Sequence, residues 1–514
     1  MIGLGTAMRQ IAARTLGVFL AVLFAFLGFP AAGAGQQAKE PAPVPSAHLT
    51  HEQALADTRT FLGLLQATHP DPYTNLGGKI AFERRAETLI DELPAAGLTV
   101  GDLAARLGTF VAPLHDGHTN VTLYNATWRA PKKPLPIRVQ ITADTFFVAA
   151  SDLPSWRGTR GAKIIGVNGH ATSALEHTLA ARFGQENAYG LDRVMAGVLQ
   201  SEDLLANLIP DLAQQGGATY NLETPNGRRE DRYVPFGGSH TADPETWLEK
   251  PLHWSGMDRS DDLFYFRFLD SGRTAYLRVA SMGGREAVET YRRMNLGGPG
   301  TLHEILVEYY QLLGAPLPAN IDSAIAGIPS LLEIGTRLLT EMRRRHTPNL
   351  IIDLRGNGGG MTGVLYPFLY QLYGDDYFAY QFPDSSVTVL SPLYIQFFSV
   401  DTAKERTRNG NFEVGWYRFN GDGDDDSAAA LPGLPGSAEW ARARRVRALA
   451  EWRARGYTDS IMTRLDALDG KSWYRPRRVV VLVDPATFSA GFQIEFYLKG
   501  LGATLVGVPV GAVA

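Results

Sequence analysis

Asn349-Leu350-Ile351-Ile352-Asp353-Leu354-Arg355-Gly356-Asn357-Gly358-Gly359-Gly360 is an apolar strand that runs directly into a polar, glycine-packed turn. Glycines let the backbone take positive φ and aim consecutive N–H groups at one point, so such a turn can hold a phosphate or an oxyanion. The phosphate reading fails on the residues themselves. A Walker loop needs Lys-Ser or Lys-Thr after its last glycine, and Met361-Thr362 follows. A dinucleotide fingerprint needs a third glycine where Met361 stands. What remains is an oxyanion-type nest or a plain tight turn after a buried strand.

A second strand of the same kind is Val479-Val480-Val481-Leu482-Val483, followed by Asp484-Pro485-Ala486-Thr487-Phe488-Ser489-Ala490-Gly491. The strand ends at Asp484-Pro485 and a helix is expected to begin near Ser489. A serine at a helix N-terminus sits in the positive end of the macrodipole, beside free N–H groups able to stabilise a developing negative charge. The alternative is that Ser489 simply caps the helix. No glycine stands two residues before Ser489, so the nucleophile elbow of α/β-hydrolases is not matched. Leu114-His115-Asp116-Gly117-His118-Thr119-Asn120 forms a turn ahead of a short strand at Val121-Thr122-Leu123. Histidine is the side chain whose ordinary pKa suits a general base at neutral pH. A capping histidine in a surface turn is the other reading. Two histidines three apart can ligate a metal, but no third ligand of a known pattern is near them in sequence.

From about Tyr276 to Leu354 a strand, helical stretches around 302–313 and 328–345, and the strand Leu350 to Leu354 alternate, which places the chain in the α/β class. At 514 residues and 45% hydrophobic side chains it can bury several cores, and a net charge of -4 provides no basic field for nucleic acid. The absence of cysteine excludes disulfides, a thiol nucleophile and a thiolate metal site. Residues 1–34 read as an export signal: Arg9 and Arg14 precede the apolar run 16–29, and Ala32-Gly33-Ala34 supplies small residues for cleavage. The run is shorter than the roughly 20 residues a membrane helix needs. Residues 35–47 are an Ala/Pro linker, 48–128 a helical domain carrying His118, and 129–262 a β-rich unit in which Ile137, Val139 and Ile141 alternate. Residues 263–514 hold the strands above, with insertions at about 285–345 and 395–475. Within the second, Gly421-Asp422-Gly423-Asp424-Asp425-Asp426 lacks the EF-hand positions and reads as a solvated acidic turn.

Taken in order, Asp116-Gly117-His118-Thr119, Asp353-Leu354-Arg355-Gly356-Asn357-Gly358-Gly359 and Thr487-Phe488-Ser489-Ala490 resemble the S41 family of tail-specific and C-terminal processing proteases, closer to its tricorn-like, histidine-using branch than to its serine-lysine branch. The resemblance implies a crotonase-like ββα-superhelix catalytic domain, with the turn 161–169 similar to that of a small PDZ-like module. It implies Ser489 as nucleophile, His118 as base, and the N–H groups of Gly358 or Gly359 and of Ala490 as oxyanion donors. Asp116, Asp353, Arg355 and Asn357 would support them. A polypeptide substrate, an exported protein in the periplasm or outside the cell, and no metal or organic cofactor follow as expectations.

Departures from the family pattern are as informative. Relatives often carry an acidic residue three or four positions after the serine, where Phe492 and Gln493 stand, and Lys499 reads as an exposed helical lysine. Histidine-using relatives take an orienting glutamate from well beyond the serine. The segment Gly507-Val508-Pro509-Val510-Gly511-Ala512-Val513-Ala514 resembles the middle of the family's catalytic domain, so a C-terminal truncation and an orienting residue beyond 514 are expected. Two rival readings are a binding protein in which the aromatic run Tyr366-Pro367-Phe368-Leu369-Tyr370 and the stretch 377–380 line an apolar cavity, and an esterase.

Overall fold

Why these residues pack as they do is visible in a computed structural model, which describes residues 48–121, 133–142, 145–209, 211–237, 263–295, 300–312, 315–380, 385–398, 400–403, 413–421, 431–454, 457 and 459–511. The signal, the linker, Thr122-Leu123 and most of the acidic turn lie outside the described residues.

The helical unit opens on a capping box. Gln53 N–H donates to Thr50 Oγ1 at 3.2 Å while Thr50 N–H donates to Gln53 Oε1 at 2.9 Å, starting α1 at His51–Thr68. Helices α2, Lys79–Asp91, and α3, Val100–Val111, complete it. Their apolar stripes meet over Leu62, Phe82, Leu107 and Phe110, with Phe82 edge-on to both Tyr73 and Phe110 at 5.3 Å. The end of α3 delivers the chain, through a turn at Ala112–Leu114, to His115 and Asp116.

A second core lies over an antiparallel sheet. Strands β1, Ile137–Thr142, β2, Thr145–Ser151, β3, Lys163–Val167, β4, Gly217–Glu223, and β5, Arg229–Pro235, pair in that order. Helices α4, Thr172–Ala180, and α5, Ala188–Val198, bury their apolar faces with the sheet's around Trp156 and Tyr220, whose rings meet edge-on at 5.4 Å. The loop from α4 into α5 carries Gln185, Glu186 and Asn187.

The third core holds the strands from which the fold was read. Its sheet is β10-β9-β8-β7-β6, where β6 is Phe264–Leu269, β7 Thr274–Val279, β8 Asn349–Asp353, β9 Arg478–Val483 and β10 Thr504–Gly507. β7 through β10 run parallel and β6 antiparallel. The fold is therefore α/β, with α6, Leu331–Arg345, connecting into β8 and α8, Ala490–Gly500, connecting β9 to β10. In a parallel sheet the chain turns at the carboxyl ends of the strands form one crevice, and both glycine turn and Ser489 lie at that edge. Within 285–345 the described residues include the helices Thr301–Leu312 and Leu331–Arg345, and Leu331, Leu338 and Leu339 are fully buried in this core. Among the described residues no helix is long and apolar enough to cross a membrane.

The aromatic run forms α7, Tyr366–Tyr373, and packs on itself. Phe368 and Tyr370 are fully buried, Tyr366 meets Tyr497 at 5.7 Å, and Tyr370 meets Phe378 at 5.1 Å. A Cβ on Gly335 would lie 2.5 Å from the Phe368 ring, so α6 and α7 approach as closely as a glycine permits. The side chains of this run are therefore packed mainly as core. Phe368→Ala is expected to cost about 3–5 kcal/mol, the usual penalty for emptying a phenylalanine site in a tight core. Urea unfolding followed by tyrosine and tryptophan fluorescence checks this, and a loss below about 1 kcal/mol would mean that the site is loosely packed.

Candidate active site

Ser489 stands between β9 and α8 at φ +52°, ψ −125°, a region that a non-glycine residue enters at a cost of about 1–3 kcal/mol. Its side chain makes no capping hydrogen bond, so it does not do what a capping serine does. A strained serine on a sharp strand-to-helix turn is the arrangement of a nucleophile elbow, reached without that motif's glycine spacing. The turn is held by its neighbours. Asp484 Oδ1 accepts from Ala486 N–H at 3.0 Å and Thr487 N–H at 3.1 Å, and Thr487 Oγ1 donates to the Leu354 carbonyl at 2.9 Å. Asp484 Oδ1 also accepts from Gly356 N–H at 2.9 Å, which lashes the serine turn to the glycine turn.

The glycine turn is anchored at its root by Asp353. This buried carboxylate accepts from Tyr276 OH at 2.6 Å, from Arg355 Nε at 2.9 Å and Nη2 at 2.7 Å, and from Arg278 Nη1 at 3.3 Å. Burial pushes its pKa up, but the two guanidiniums and the phenol outweigh burial and hold it below the usual carboxylate value. The Tyr276 phenol is pushed up by burial and by the adjacent carboxylate. Farther along, fully buried Asn357 accepts from Gly359 N–H at 3.0 Å and donates from Nδ2 to the Val279 carbonyl at 3.1 Å. Its backbone carbonyl accepts from Phe488 N–H at 2.9 Å. Gly359 has φ +100°, and a Cβ there would lie 2.8 Å from Ser489 Cβ and 3.1 Å from Ala490 N. Of the two glycine donors proposed from sequence, Gly359 N–H is thus committed to Asn357, which leaves Gly358. Ala490, as the first helical residue of α8, has an N–H without an intrahelical partner.

His118 arrives from the helical unit. His115 takes φ +54° and the chain turns over Asp116–Thr119, closed by Thr119 N–H to the Asp116 carbonyl at 3.1 Å. Asp116 Oδ1 accepts from His118 N–H at 2.8 Å, and Oδ2 contacts His69 Nε2 at 3.3 Å and accepts from Thr119 Oγ1. Burial raises the Asp116 pKa, but these hydrogen bonds win and bring it to about 2. The His118 ring lies over Phe488, centroids 4.6 Å apart, directly beside Ser489 in sequence. His115 is exposed and takes no part, and Lys499 is exposed on the last turn of α8.

Several residues here were not anticipated by the motifs. Glu186 Oε1 lies 3.4 Å from His118 Nδ1, closer than Asp116 Oδ1 at 3.8 Å. The guanidinium of Arg193, on α5, sits over the Phe488 ring at 5.2 Å. Asp116, His118 and Glu186 each offer one ligand atom within 4.8 Å of the others, a spacing that a divalent cation can use. Only Asp484, next to a proline at a strand end, carried a local signal, since aspartate there commonly bonds its own turn.

The chain resembles several solved structures. Mature CPAF complexed with lactacystin is 16% identical at TM-score 0.48, with 90% of this chain and 85% of that chain covered. A photosystem II D1 C-terminal processing protease is 12% identical at TM-score 0.36, covering 90% and 82%. The tricorn protease is 12% identical at TM-score 0.20, covering 90% and 30%. Scores this low carry no argument about the site. No curated protein matches the sequence. The family comparison is more direct: residues 335–513, which contain the glycine turn, the serine turn and the helix between β9 and β10, match the model of Peptidase family S41. Over that stretch the chain is similar to peptidase family S41.

Proposed function

We propose that this peptidase is an exported serine endopeptidase of the histidine-using kind, with a crotonase-like catalytic core and a PDZ-like module built on β1 to β5. The observation that carries the reading is the convergence on Phe488-Ser489: an uncapped, strained serine packs against Gly359 on one side, and the His118 ring covers its neighbour on the other. In the proposed reaction Ser489 Oγ attacks a peptide carbonyl carbon and His118 Nε2 takes the hydroxyl proton. The N–H groups of Gly358 and Ala490 hold the oxyanion of the tetrahedral intermediate. Collapse breaks the C–N bond, and the leaving amine takes the proton from His118. A water molecule then repeats the sequence on the acyl-enzyme, giving its proton to His118 and restoring the Ser489 hydroxyl.

Ser489→Ala and His118→Ala are each expected to lower turnover of fluorescein-labelled casein by about 10⁴-fold or more. A fluorophosphonate probe should label wild type but not Ser489→Ala. Labelling that survives in Ser489→Ala would place the nucleophile elsewhere.

Gly359→Ala presses a methyl group into Ser489 and strains a backbone at φ +100°. Since a shift of about 1 Å near the reacting atoms costs about 10²-fold, turnover should drop at least that much. Retention of more than a tenth of wild-type activity would show that the turn has room to spare.

Asp116 contributes through its depressed pKa. Its stabilisation is present above the ordinary value of 3.8 and is lost as pH falls toward about 2. Asp116→Asn should therefore be less stable than wild type at pH 7, by about 1–2 kcal/mol, with the gap closing between about pH 4 and pH 2. A gap unchanged across that range, measured by chemical denaturation, would remove the charge from the explanation.

A further inference from the structure

Sequence motifs supply His118 with no partner for its second ring nitrogen, but the fold does. Glu186 comes from the loop between α4 and α5, in the second core, and its carboxylate is mostly buried, with 16% of the side chain exposed. Asp116 is already committed: its oxygens serve the His118 backbone N–H, His69 and Thr119. Glu186 Oε1, by contrast, is 3.4 Å from Nδ1. Catalytic hydrogen bonds are often this long before substrate binds and tighten in the complex. Glu186 also packs against the histidine turn itself, because a Cβ on Gly117 would lie 2.9 Å from Glu186 Oε2 and 3.1 Å from the Phe488 ring.

Arg193 holds the arrangement from behind. It is half-buried on α5, lies over Phe488, and faces the carboxylates of Asp484 and Glu186; burial pushes its pKa down, and the two carboxylates oppose that shift. Phe488 thereby contacts both His118 and Arg193.

Resting on the Ser489–His118 reading, we propose that Glu186 is the positioning carboxylate of His118, accepting a hydrogen bond from Nδ1–H so that Nε2 is left to face Ser489. The carboxylate fixes the tautomer and the ring angle, and it stabilises the imidazolium formed when Ser489 gives up its proton. Glu186 stands ahead of Ser489 in the chain, in the β-rich unit.

The test uses the full chain and three variants, Glu186→Gln, Glu186→Ala and His118→Ala, each checked for a wild-type unfolding transition. With a fluorophosphonate probe, Glu186→Gln is expected to lower the maximal labelling rate by about 10²–10⁴-fold and leave the probe's half-saturation concentration within about threefold, because the group acts on the base and not on the ligand. Formate should restore at least tenfold of the lost rate to Glu186→Ala, a rescue that a merely structural glutamate does not show. If His118→Ala loses labelling while Glu186→Gln keeps it within threefold, or if folded Glu186→Ala is not rescued by formate, the positioning role is overturned and the Ser489–His118 reading stands. If His118→Ala labels as fast as wild type, that reading itself fails. Loss of wild-type labelling on chelation with its return on adding zinc would make Glu186 a metal ligand and overturn the proposal by another route.

Discussion

Asn357 is the residue on which the geometry of the catalytic edge depends. It is fully buried, and its N–H donates to Leu354, its carbonyl accepts from Phe488, its Oδ1 accepts from Gly359, and its Nδ2 donates to Val279. Val279 ends β7, Leu354 directly follows β8 and Phe488 lies in the turn after β9, so the backbone and side chain of one residue tie together the ends of three parallel strands. Each buried polar group left unpaired costs about 1–3 kcal/mol, which makes the arrangement all-or-none. A close approach of Gly491 to the Asn357 carbonyl, where a Cβ would fall at 2.7 Å, shows how little slack there is.

That rigidity allows Ser489 to keep a backbone conformation it would not choose. Strain of this kind persists where the surroundings over-determine the chain. Here the surroundings are the Asp484 carboxylate, bonded to its own turn and to Gly356, and the Thr487 hydroxyl, bonded to Leu354. Beneath them Asp353, with Tyr276, Arg278 and Arg355, is a buried charge whose oxygens are satisfied by several donors, the condition under which such a group is tolerated. Loss of the Arg355 guanidinium would take away two of these hydrogen bonds at the root of the glycine turn.

The strands and turns that make this edge were legible because each is a short uninterrupted apolar run closed by turn residues, and the pattern needs no tertiary information. Ser489 and the glycine turn stood out for the same reason, and helix α8 begins at the residue after the serine, as the helix-start reading required. The helical stretches read around 302–313 and 328–345 appear as helices at Thr301–Leu312 and Leu331–Arg345. Periodicity could not say whether the run from Tyr366 to Tyr370 faced a cavity or its own neighbours, since both put apolar side chains on one face. Glu186, Arg193 and His69 left no trace in the motifs. Each lies in an unremarkable helix or loop and acquires its meaning only when separate cores meet.

In the proposed reaction the base and the nucleophile are therefore aligned by packing between units and not by a shared strand. His118 rides on the helical unit, Glu186 and Arg193 on the β-rich unit, and Ser489 on the parallel sheet, with Phe488 the common contact. The second and third units also meet where Asn187 Nδ2 donates to the Val510 carbonyl at 3.1 Å and where Gly190 sits against Gly511, too close for a side chain. A small rotation of the helical or β-rich unit would move the His118 imidazole or Glu186 while the proposed oxyanion donors, fixed by Asn357 and Asp484 within one core, stayed in place. In the proposed reaction proton transfer is thus the step most sensitive to how the units pack, and oxyanion binding the least.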